Sequence, residues 1–199
     1  EVSCICSFIS TINNHVNVII LQHPSEVKQS KATVPLLAGS LTKCHVFVGE
    51  NFDDNEVLHQ LLGQYRHNVA LVYPSEVAQV LTPTADMGEN TEIKENKKQE
   101  LKCIVLLDGT WKKAYRLYQL NRFLHDLPHL ALSDEYLGQY TIRKTKKVGA
   151  LSTLEACCYA LSSIEHCDKR YAPLLDSFVA FNQFQQRFVP TDHERNSQQ

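Results

Sequence analysis

Apolar, β-branched runs alternate along this chain with segments in which apolar residues recur every three or four positions. The runs predict strands at residues 16–21, 44–48, 69–73 and 102–107. The amphipathic segments predict helices near residues 35–41, 53–65, 75–81, 111–120, 152–166 and 173–188. Because strands that alternate with helices usually pair in parallel, the pattern predicts an α/β fold, with a mostly parallel sheet and helices on both faces.

The last two predicted helices carry apolar stripes that indicate core packing. The first stripe consists of Leu151, Leu154, Cys157, Cys158, Leu161 and Ile164. The second stripe consists of Leu174, Phe178, Phe181, Phe184 and Phe188. At this spacing we expect the phenylalanines to fill the core and not to stack on bases.

The length of 199 residues suits one domain with a full core. We expect that domain to cover residues 1–190, followed by a flexible tail at 191–199. Residues 82–101 are polar, contain a proline and a glycine, and show no apolar period. This composition predicts a mobile insertion in the domain.

No apolar run approaches the length of a membrane span, and no basic stretch followed by an apolar one opens the chain. These features predict a soluble intracellular protein, cytoplasmic or nuclear. Five of the seven cysteines lie in apolar runs, where a thiol behaves as a small hydrophobe, so we expect a reducing compartment. Cys4 and Cys6 have the spacing of half a zinc site, and two free thiols are the alternative.

A net charge of −2 gives no overall attraction to nucleic acid, so RNA binding would need a local basic patch. The segment 86–100 holds five acids and three lysines, which accounts for that charge. Two basic clusters stand elsewhere, formed by Lys112, Lys113, Arg116 and Arg122 and by Arg143, Lys144, Lys146 and Lys147. Solvated surface is the ordinary alternative for such clusters.

Polar residues follow three of the predicted strands. The segments 23–27 and 73–77 differ only in their first residue, His23 or Tyr73, and both continue Pro-Ser-Glu-Val. Shared turn chemistry is one explanation of this echo, because proline stops a strand and serine caps a helix. A third strand closes at Asp108. Because ligands of open α/β sheets bind beyond the carboxyl ends of the strands, these segments also predict a ligand site.

The most specific local signal is the Asp-Gly-Thr-Trp turn at residues 108–111, which contains the chain's single tryptophan. Taken alone, Asp108 could cap the next helix and Trp111 could fill the core. Further along, Ser152 and Glu155 form the Ser-x-x-Glu pattern of a capping box. The amino terminus of a helix is also a place where a ligand carboxylate can sit.

Taken in order, these motifs resemble the DTW family, whose signature Asp-x-Thr-Trp is met by Asp108, Thr110 and Trp111. The similar segments begin with Cys4-x-Cys6 and continue at residues 20–26, 33–37, 48–52, 71–75, 108–111, 127–128, 140–143 and 151–156. There are two departures from the family pattern. Members usually carry another cysteine pair just upstream of Cys4, and their insertion before residue 101 is shorter in compact cases.

The resemblance implies a SPOUT-like α/β fold, which allows a knot near the carboxy terminus. It also implies transfer of the 3-amino-3-carboxypropyl group from S-adenosylmethionine to N3 of a uridine in tRNA. Asp108, at a strand end, is the candidate base for the N3 proton. The expected donor contacts are His23, Glu26, Ser75, Gly109, Thr110, Trp111, Ser152, Thr153 and Glu155. The expected RNA contacts are Lys112, Arg116, Arg143, Lys144, Lys146 and Lys147, and a structural zinc would use Cys4 and Cys6.

Two other functions fit the same motifs. An S-adenosylmethionine-dependent RNA methyltransferase would use the same donor, and a non-catalytic RNA-binding module would keep only the basic clusters. The intact Asp-Gly-Thr-Trp turn favours catalysis over the second alternative. The sequence contains no GxGxxG, Walker A or GxSxG pattern, so it offers no support for nucleotide hydrolysis or serine-hydrolase chemistry. No membrane association or obligate protein partner is indicated.

Overall fold

The computed structural model of the protein describes residues 5–29, 33–83, 100–136 and 151–186. Within these ranges the strands are β1 (Asn17–Gln22), β2 (Cys44–Val48), β3 (Val69–Val72), β4 (Gln79–Leu81), β5 (Cys103–Asp108) and β6 (His129–Leu132). The α-helices of the same ranges are α1 (Val34–Ser40), α2 (Glu56–Tyr65), α3 (Trp111–Leu120), α4 (Thr153–Glu165) and α5 (Asp168–Gln186). Short 3-10 helices lie at Cys6–Phe8, Pro24–Glu26 and Arg122–Leu124.

The strands form one sheet in which every pairing between described strands is parallel, in the order β2-β1-β5-β3-β6-β4. β1 and β5 are neighbours, paired from Asn17 opposite Cys103 to Gln22 opposite Asp108. Because the strands run in one direction, their carboxyl ends lie along one edge of the sheet. The predicted α/β fold with a mostly parallel sheet is confirmed.

Helices cover both faces of the sheet, as predicted. One face packs against α1, α4 and α5 through core residues that include Val18, Ile20, Ile104, Leu37, Leu161 and Phe178. The other face packs against α2 and α3 through core residues that include Ile19, Leu21, Val105, Leu58 and Leu117. Consecutive residues of a strand point to opposite faces, so the residues between the ends of β1 and β5 are continuously apolar.

The predicted helix at residues 75–81 is wrong. Glu76 and Val77 form a turn, and Gln79–Leu81 form β4, which pairs with β6. The β-branched Val80 loses rotamer freedom in a helix, whereas the backbone of β6 offers residues 79–81 a parallel pairing partner. Sequence analysis does not predict β6, because its four residues are too few to show a period.

The ends of the last two helices follow local signals in one case and tertiary packing in the other. α4 begins after Ser152 and carries the complete capping box with Glu155, so that prediction is confirmed. α5 begins at Asp168 and contains Pro173 in its interior, although a start near residue 173 was predicted. The additional turn is held by Tyr171, which is buried, and Asp168 complements the helix dipole.

The residues predicted for the core are buried wherever the structure describes them completely, apart from a few at the helix margins. Those with less than 9% exposure include Cys103, Cys157, Cys158, Leu174, Phe178 and Phe181. Burial raises the pKa of the Cys103 thiol to about 12, so it behaves as an apolar group. None of the described helices is long and apolar enough to cross a membrane. Most of the predicted insertion, at 84–99, and the predicted tail lie outside the described residues.

Candidate functional site

The ends of β1 and β5 place Gln22 and Asp108 beside each other. The two residues are opposite in the strand register, at positions that continue the face covered by α4. The Gln22 side-chain amide donates to Asp108 Oδ2 at 3.0 Å, and the hydroxyl of Thr153, the first residue of α4, donates to Oδ1 at 2.7 Å. The structure therefore brings two predicted site residues, Asp108 and Thr153, into direct contact.

Asp108 is a buried carboxyl group, 8% exposed, and the two side chains that donate to it within the described residues are neutral. Burial raises its pKa above the usual value for aspartic acid, and the nearby negative charge of Glu26 acts in the same direction. The hydrogen bonds from Thr153 and Gln22 and the positive charge of Lys113 oppose this increase in pKa. Such a carboxylate can take up a proton or face a positively charged ligand.

His23 directly follows β1, and both of its ring nitrogens have partners. Nδ1 accepts a hydrogen bond from the Ser25 amide at 3.2 Å, so Nε2 is the donor of the neutral ring. Nε2 lies 2.9 Å from Glu50 Oε1. Glu50 Oε2 accepts two bonds from Arg116, at 3.0 Å from Nε and 2.8 Å from Nη2, and the bonds from Arg116 lower the pKa of Glu50. The loops after β1 and β2 are thereby joined to α3.

Gly109 occupies a position of close approach. A Cβ atom at Gly109 would lie 2.9 Å from Cβ of Lys113 and 3.7 Å from Cβ of His23. Lys113 forms an ion pair with Glu26, with 2.5 Å between Lys113 Nζ and Glu26 Oε1. Glycine thus lets the turn after β5 pack against α3 and against the loop after β1, next to the Glu26–Lys113 ion pair.

Two helices begin at this edge of the sheet with different caps. At α4 the Ser152 side chain accepts from the Glu155 amide, and Glu155, which is 5% exposed, accepts from the Ser152 amide at 2.7 Å. At α3 the residue before the helix is Thr110, whose side chain makes no capping hydrogen bond. The first-turn amides of α3 therefore have more capacity for an anionic ligand than those of α4.

Ser75, a predicted donor contact after β3, lies in a separate set of contacts. Its hydroxyl is 2.8 Å from His129 Nδ1, and His129 Nε2 is 3.2 Å from the Leu124 carbonyl oxygen. With Nε2 donating to that carbonyl, Nδ1 accepts from Ser75. The structure thus links Ser75 to β6, with no hydrogen bond to Asp108 or Thr153.

The residues of α3 that were predicted to meet RNA or donor lie mostly on its exposed side. Lys112 is exposed, and the Arg116 side chain is 61% exposed while it binds Glu50. Trp111 is 56% exposed, so the alternative that it fills the core is wrong. The second basic cluster lies outside the described residues and consists of Arg143, Lys144, Lys146 and Lys147.

The predicted zinc ligands are only partly described. Cys4 lies outside the described residues, and Cys6 is exposed at the start of the 3-10 helix Cys6–Phe8. The described part of the chain contains no group of three or more histidine, cysteine, aspartate or glutamate residues that could hold a metal. The zinc site stays a prediction.

Three further residues build this edge and are not among the predicted site residues: Gln22, Glu50 and Asn121. Asn121 is fully buried, accepts from the Phe52 amide at 2.6 Å and donates to the Glu50 carbonyl at 2.9 Å. A signal for Gln22 exists, because it is the polar residue that ends the β1 run. Glu50 and Asn121 are 71 residues apart, and no local pattern connects them.

A parallel sheet with a buried carboxylate at its strand ends, next to an uncapped helix terminus, is typical of α/β proteins that bind a ligand at this edge. The chain belongs to the DTW domain family, which matches residues 1–186. The family predicted from the Asp-Gly-Thr-Trp turn and its neighbouring motifs is therefore confirmed.

Three curated relatives carry the name tRNA-uridine aminocarboxypropyltransferase 2. The Macaca fascicularis protein is 28% identical over 186 residues, which are 92% of this chain and 59% of that protein. The Mus musculus protein is 27% identical with the same coverage. The Drosophila melanogaster protein is 29% identical over 150 residues, 74% of this chain and 56% of that protein. The chain thus spans less than two thirds of the length of these relatives. No solved structure matches the chain significantly.

Proposed function

We propose that this chain transfers the 3-amino-3-carboxypropyl group of S-adenosylmethionine to N3 of a uridine in tRNA. The observation that carries the proposal is the buried Asp108 carboxyl group, held by Gln22 and Thr153 where the strand ends meet. The family of the chain and the shared name of its relatives supply the reaction.

The edge around Gly109 fits S-adenosylmethionine in charge. The uncapped amino terminus of α3, at Thr110 and Trp111, offers backbone N–H groups to the donor's carboxylate. Asp108 offers the donor's positive charge a carboxylate that, among the described residues, accepts its side-chain hydrogen bonds from the neutral Gln22 and Thr153. When bound, the donor supplies a carbon activated by the adjacent sulfonium and a neutral leaving group, 5′-methylthioadenosine.

The remaining proposed donor contacts surround this turn. His23 and Glu26 lie on the side of β1, and Ser152, Thr153 and Glu155 lie at the start of α4. Ser75, which bonds to His129, takes a supporting position in this proposal because its hydroxyl is already engaged.

Asp108 acts as the base in the proposed step. Its carboxylate takes the N3 proton of uridine, and N3 forms a bond to the aminocarboxypropyl carbon. The bond between that carbon and sulfur breaks, and its electron pair stays on sulfur. Burial raises the pKa of Asp108, which is the direction that a general base near neutral pH requires.

The acceptor RNA is proposed to lie over α3. Lys112 and Arg116 would contact phosphates there, where such contacts position the acceptor without reading its sequence. The cluster at Arg143, Lys144, Lys146 and Lys147 is proposed for the same role and lies outside the described residues.

Several finer features belong to the same proposal. They are a SPOUT-like connection of the sheet with a knot near the carboxy terminus, a structural zinc at Cys4 and Cys6, and a cytoplasmic or nuclear location. The sheet order and its parallel pairing are compatible with the first feature.

Mass spectrometry of nucleosides from tRNA incubated with the protein and S-adenosylmethionine tests the proposal. Formation of 3-(3-amino-3-carboxypropyl)uridine together with 5′-methylthioadenosine supports it. A methylated nucleoside with S-adenosylhomocysteine would assign the chain to the RNA methyltransferases. Unchanged tRNA that nevertheless binds the protein would favour a non-catalytic RNA-binding module.

A further inference from the structure

Helix α3 presents a row of large aromatic side chains to solvent next to the Asp108 site. Trp111 is 56% exposed and Tyr115 is 58% exposed, and at a separation of four residues their side chains are neighbours on one side of the helix. Single exposed apolar residues need no explanation, but two adjacent aromatic side chains form a contact surface. Trp111 is the first residue of α3 and follows Asp108 by three positions. This surface therefore begins next to the Asp108 site.

A second row of α3 runs beside the aromatic one and is cationic. Lys112 and Arg116 are also four residues apart, and each follows a member of the aromatic row. The helix contains no acidic residue. A ligand on this side of α3 therefore meets flat apolar rings next to the Lys112 ammonium group and next to the Arg116 guanidinium group, which also binds Glu50.

Aromatic stacking continues along the same side of α3, because Tyr118 lies three residues after Tyr115 and seven after Trp111. Tyr118 stacks on Tyr73 with ring centroids 4.8 Å apart and on His125 with centroids 4.1 Å apart. This stack joins α3 to Tyr73, which directly follows β3, and continues the row of Trp111 and Tyr115. Tyr115 precedes Tyr118 by three residues on α3, so the exposed row lies next to the stack.

We propose that the row formed by Trp111 and Tyr115 stacks on unpaired bases of the acceptor RNA next to the reacting uridine, with phosphates along Lys112 and Arg116. Flat aromatic rings beside cations are the combination that binds single-stranded nucleic acid, whereas the bases of a duplex are not available for stacking. The inference rests on the proposed function for the identity of the acceptor. The inference specifies which part of the acceptor RNA binds here: a loop or another single-stranded segment, not a stem.

The chain's single tryptophan makes this inference directly measurable. Trp111 fluorescence is titrated in the absence of donor with three probes: oligouridylate, an RNA duplex of matched charge, and inorganic polyphosphate. We expect oligouridylate to quench the emission strongly, and the duplex and polyphosphate to bind through charge with little quenching. Equal quenching by all three probes, or bound oligouridylate without quenching, would overturn the inference.

Tyr115 supplies an independent test with a matched control. Tyr115→Ala should weaken binding of oligouridylate about tenfold, and Tyr115→Phe should retain it, because the ring is what stacks. Leu120→Ala, at a 38% exposed position of the same helix outside the row, is the control and should bind as the wild type does. Equal affinities of the alanine and phenylalanine variants would contradict stacking at this position, provided both variants show the wild-type unfolding transition.

Nucleoside analysis of the same proteins separates the two proposals. Modified uridine without tryptophan quenching would refute base stacking on Trp111 and Tyr115 and would leave the proposed transferase function standing. Quenching without any modified uridine in tRNA would support base stacking on this surface and would refute the proposed transferase function. The pairing of quenching with modification is the result that both proposals predict.

Discussion

The hydroxyl of Thr153 donates a 2.7 Å hydrogen bond to the carboxylate of Asp108, although the two residues are 45 positions apart. This bond joins the first residue of α4 to the last residue of β5. It also acts on the chemistry, because it lowers the pKa of Asp108 against the opposite effect of burial. The proposed base and a proposed donor contact are therefore coupled by a single hydroxyl group.

Replacing Thr153 tests this coupling. Thr153→Val removes the hydroxyl and keeps the shape of the side chain, so the pKa of Asp108 should rise further and turnover should fall roughly tenfold. Thr153→Ser should restore both. The measurement is the pH dependence of turnover, whose acidic limb should move to higher pH in the valine variant. An acidic limb that stays in place would separate Thr153 from the ionisation of Asp108.

Asp108→Asn should abolish transfer while donor affinity changes by less than about tenfold, which is roughly 1.4 kcal/mol. A base that acts in the transition state affects turnover, whereas a partner of the sulfonium is already needed when the donor binds. Titration of S-adenosylmethionine into both proteins distinguishes these roles. A much larger loss of donor affinity would assign Asp108 to donor binding, and near-normal turnover would exclude it from the mechanism.

Asp108→Asn should also stabilise the protein at neutral pH. The raised pKa means that the folded state favours the protonated carboxyl group. The contribution of the Asp108 carboxyl group to stability is therefore complete below its pKa in the unfolded chain. It is lost as the pH rises through its pKa in the folded protein. Asparagine carries no charge and can still accept the bond from Thr153. Urea unfolding should show the largest gain for the variant near pH 7 and a shrinking gain towards acidic pH; a wild type that becomes relatively more stable as pH rises would contradict the sign.

The order of strands and helices is largely predictable from the sequence, and the arrangement at the strand ends only partly so. Buried parallel strands are continuous apolar runs, which is why residues 16–21 and 102–107 fall within one residue of β1 and β5. Asp108 and Thr153 could be predicted because strong local signals, a strand end and a capping box, mark them. Glu50 and Asn121 escape prediction because their roles depend on a contact between distant loops.

The error at residues 75–81 has a similar origin. The Pro-Ser-Glu sequence starts a 3-10 helix at Pro24–Glu26 but only a turn after Tyr73. In the second copy, Ser75 bonds to His129, and the backbone of β6 is available as a partner for β4. Two segments with the same local sequence thus take different structures because only the second leads into a strand that pairs with β6. A motif of five residues carries no information about that pairing.

Gly109→Ala should impair transfer without unfolding the protein. The added Cβ would meet Cβ of Lys113 at 2.9 Å, so the turn after β5 must shift, and displacements of this kind cost between about tenfold and a hundredfold in rate. Gly63→Ala in α2 is the matched control, because a Cβ there meets no atom within 4 Å. It should keep activity and raise the free energy of unfolding by about 0.5–1 kcal/mol. Equal activities of the two variants would argue against a close approach at Gly109.

Neutralising the second basic cluster should weaken tRNA binding and flatten its dependence on salt. The replaced residues are Arg143, Lys144, Lys146 and Lys147. If they meet phosphates, fewer counterions are released on binding, and the slope of affinity against salt concentration decreases. Donor affinity, measured in parallel, should stay nearly constant. An unchanged salt slope would assign these residues to solvated surface.

The fate of the donor's two labelled groups tests the central claim most directly. Single-turnover reactions of tRNA with S-adenosylmethionine labelled in both its carboxyl and its methyl group are digested to nucleosides and separated. We predict that the carboxyl label enters uridine and that the methyl label leaves in 5′-methylthioadenosine. In Asp108→Asn we expect neither labelled uridine nor labelled 5′-methylthioadenosine. Methyl label in the RNA, without carboxyl label, would contradict aminocarboxypropyl transfer.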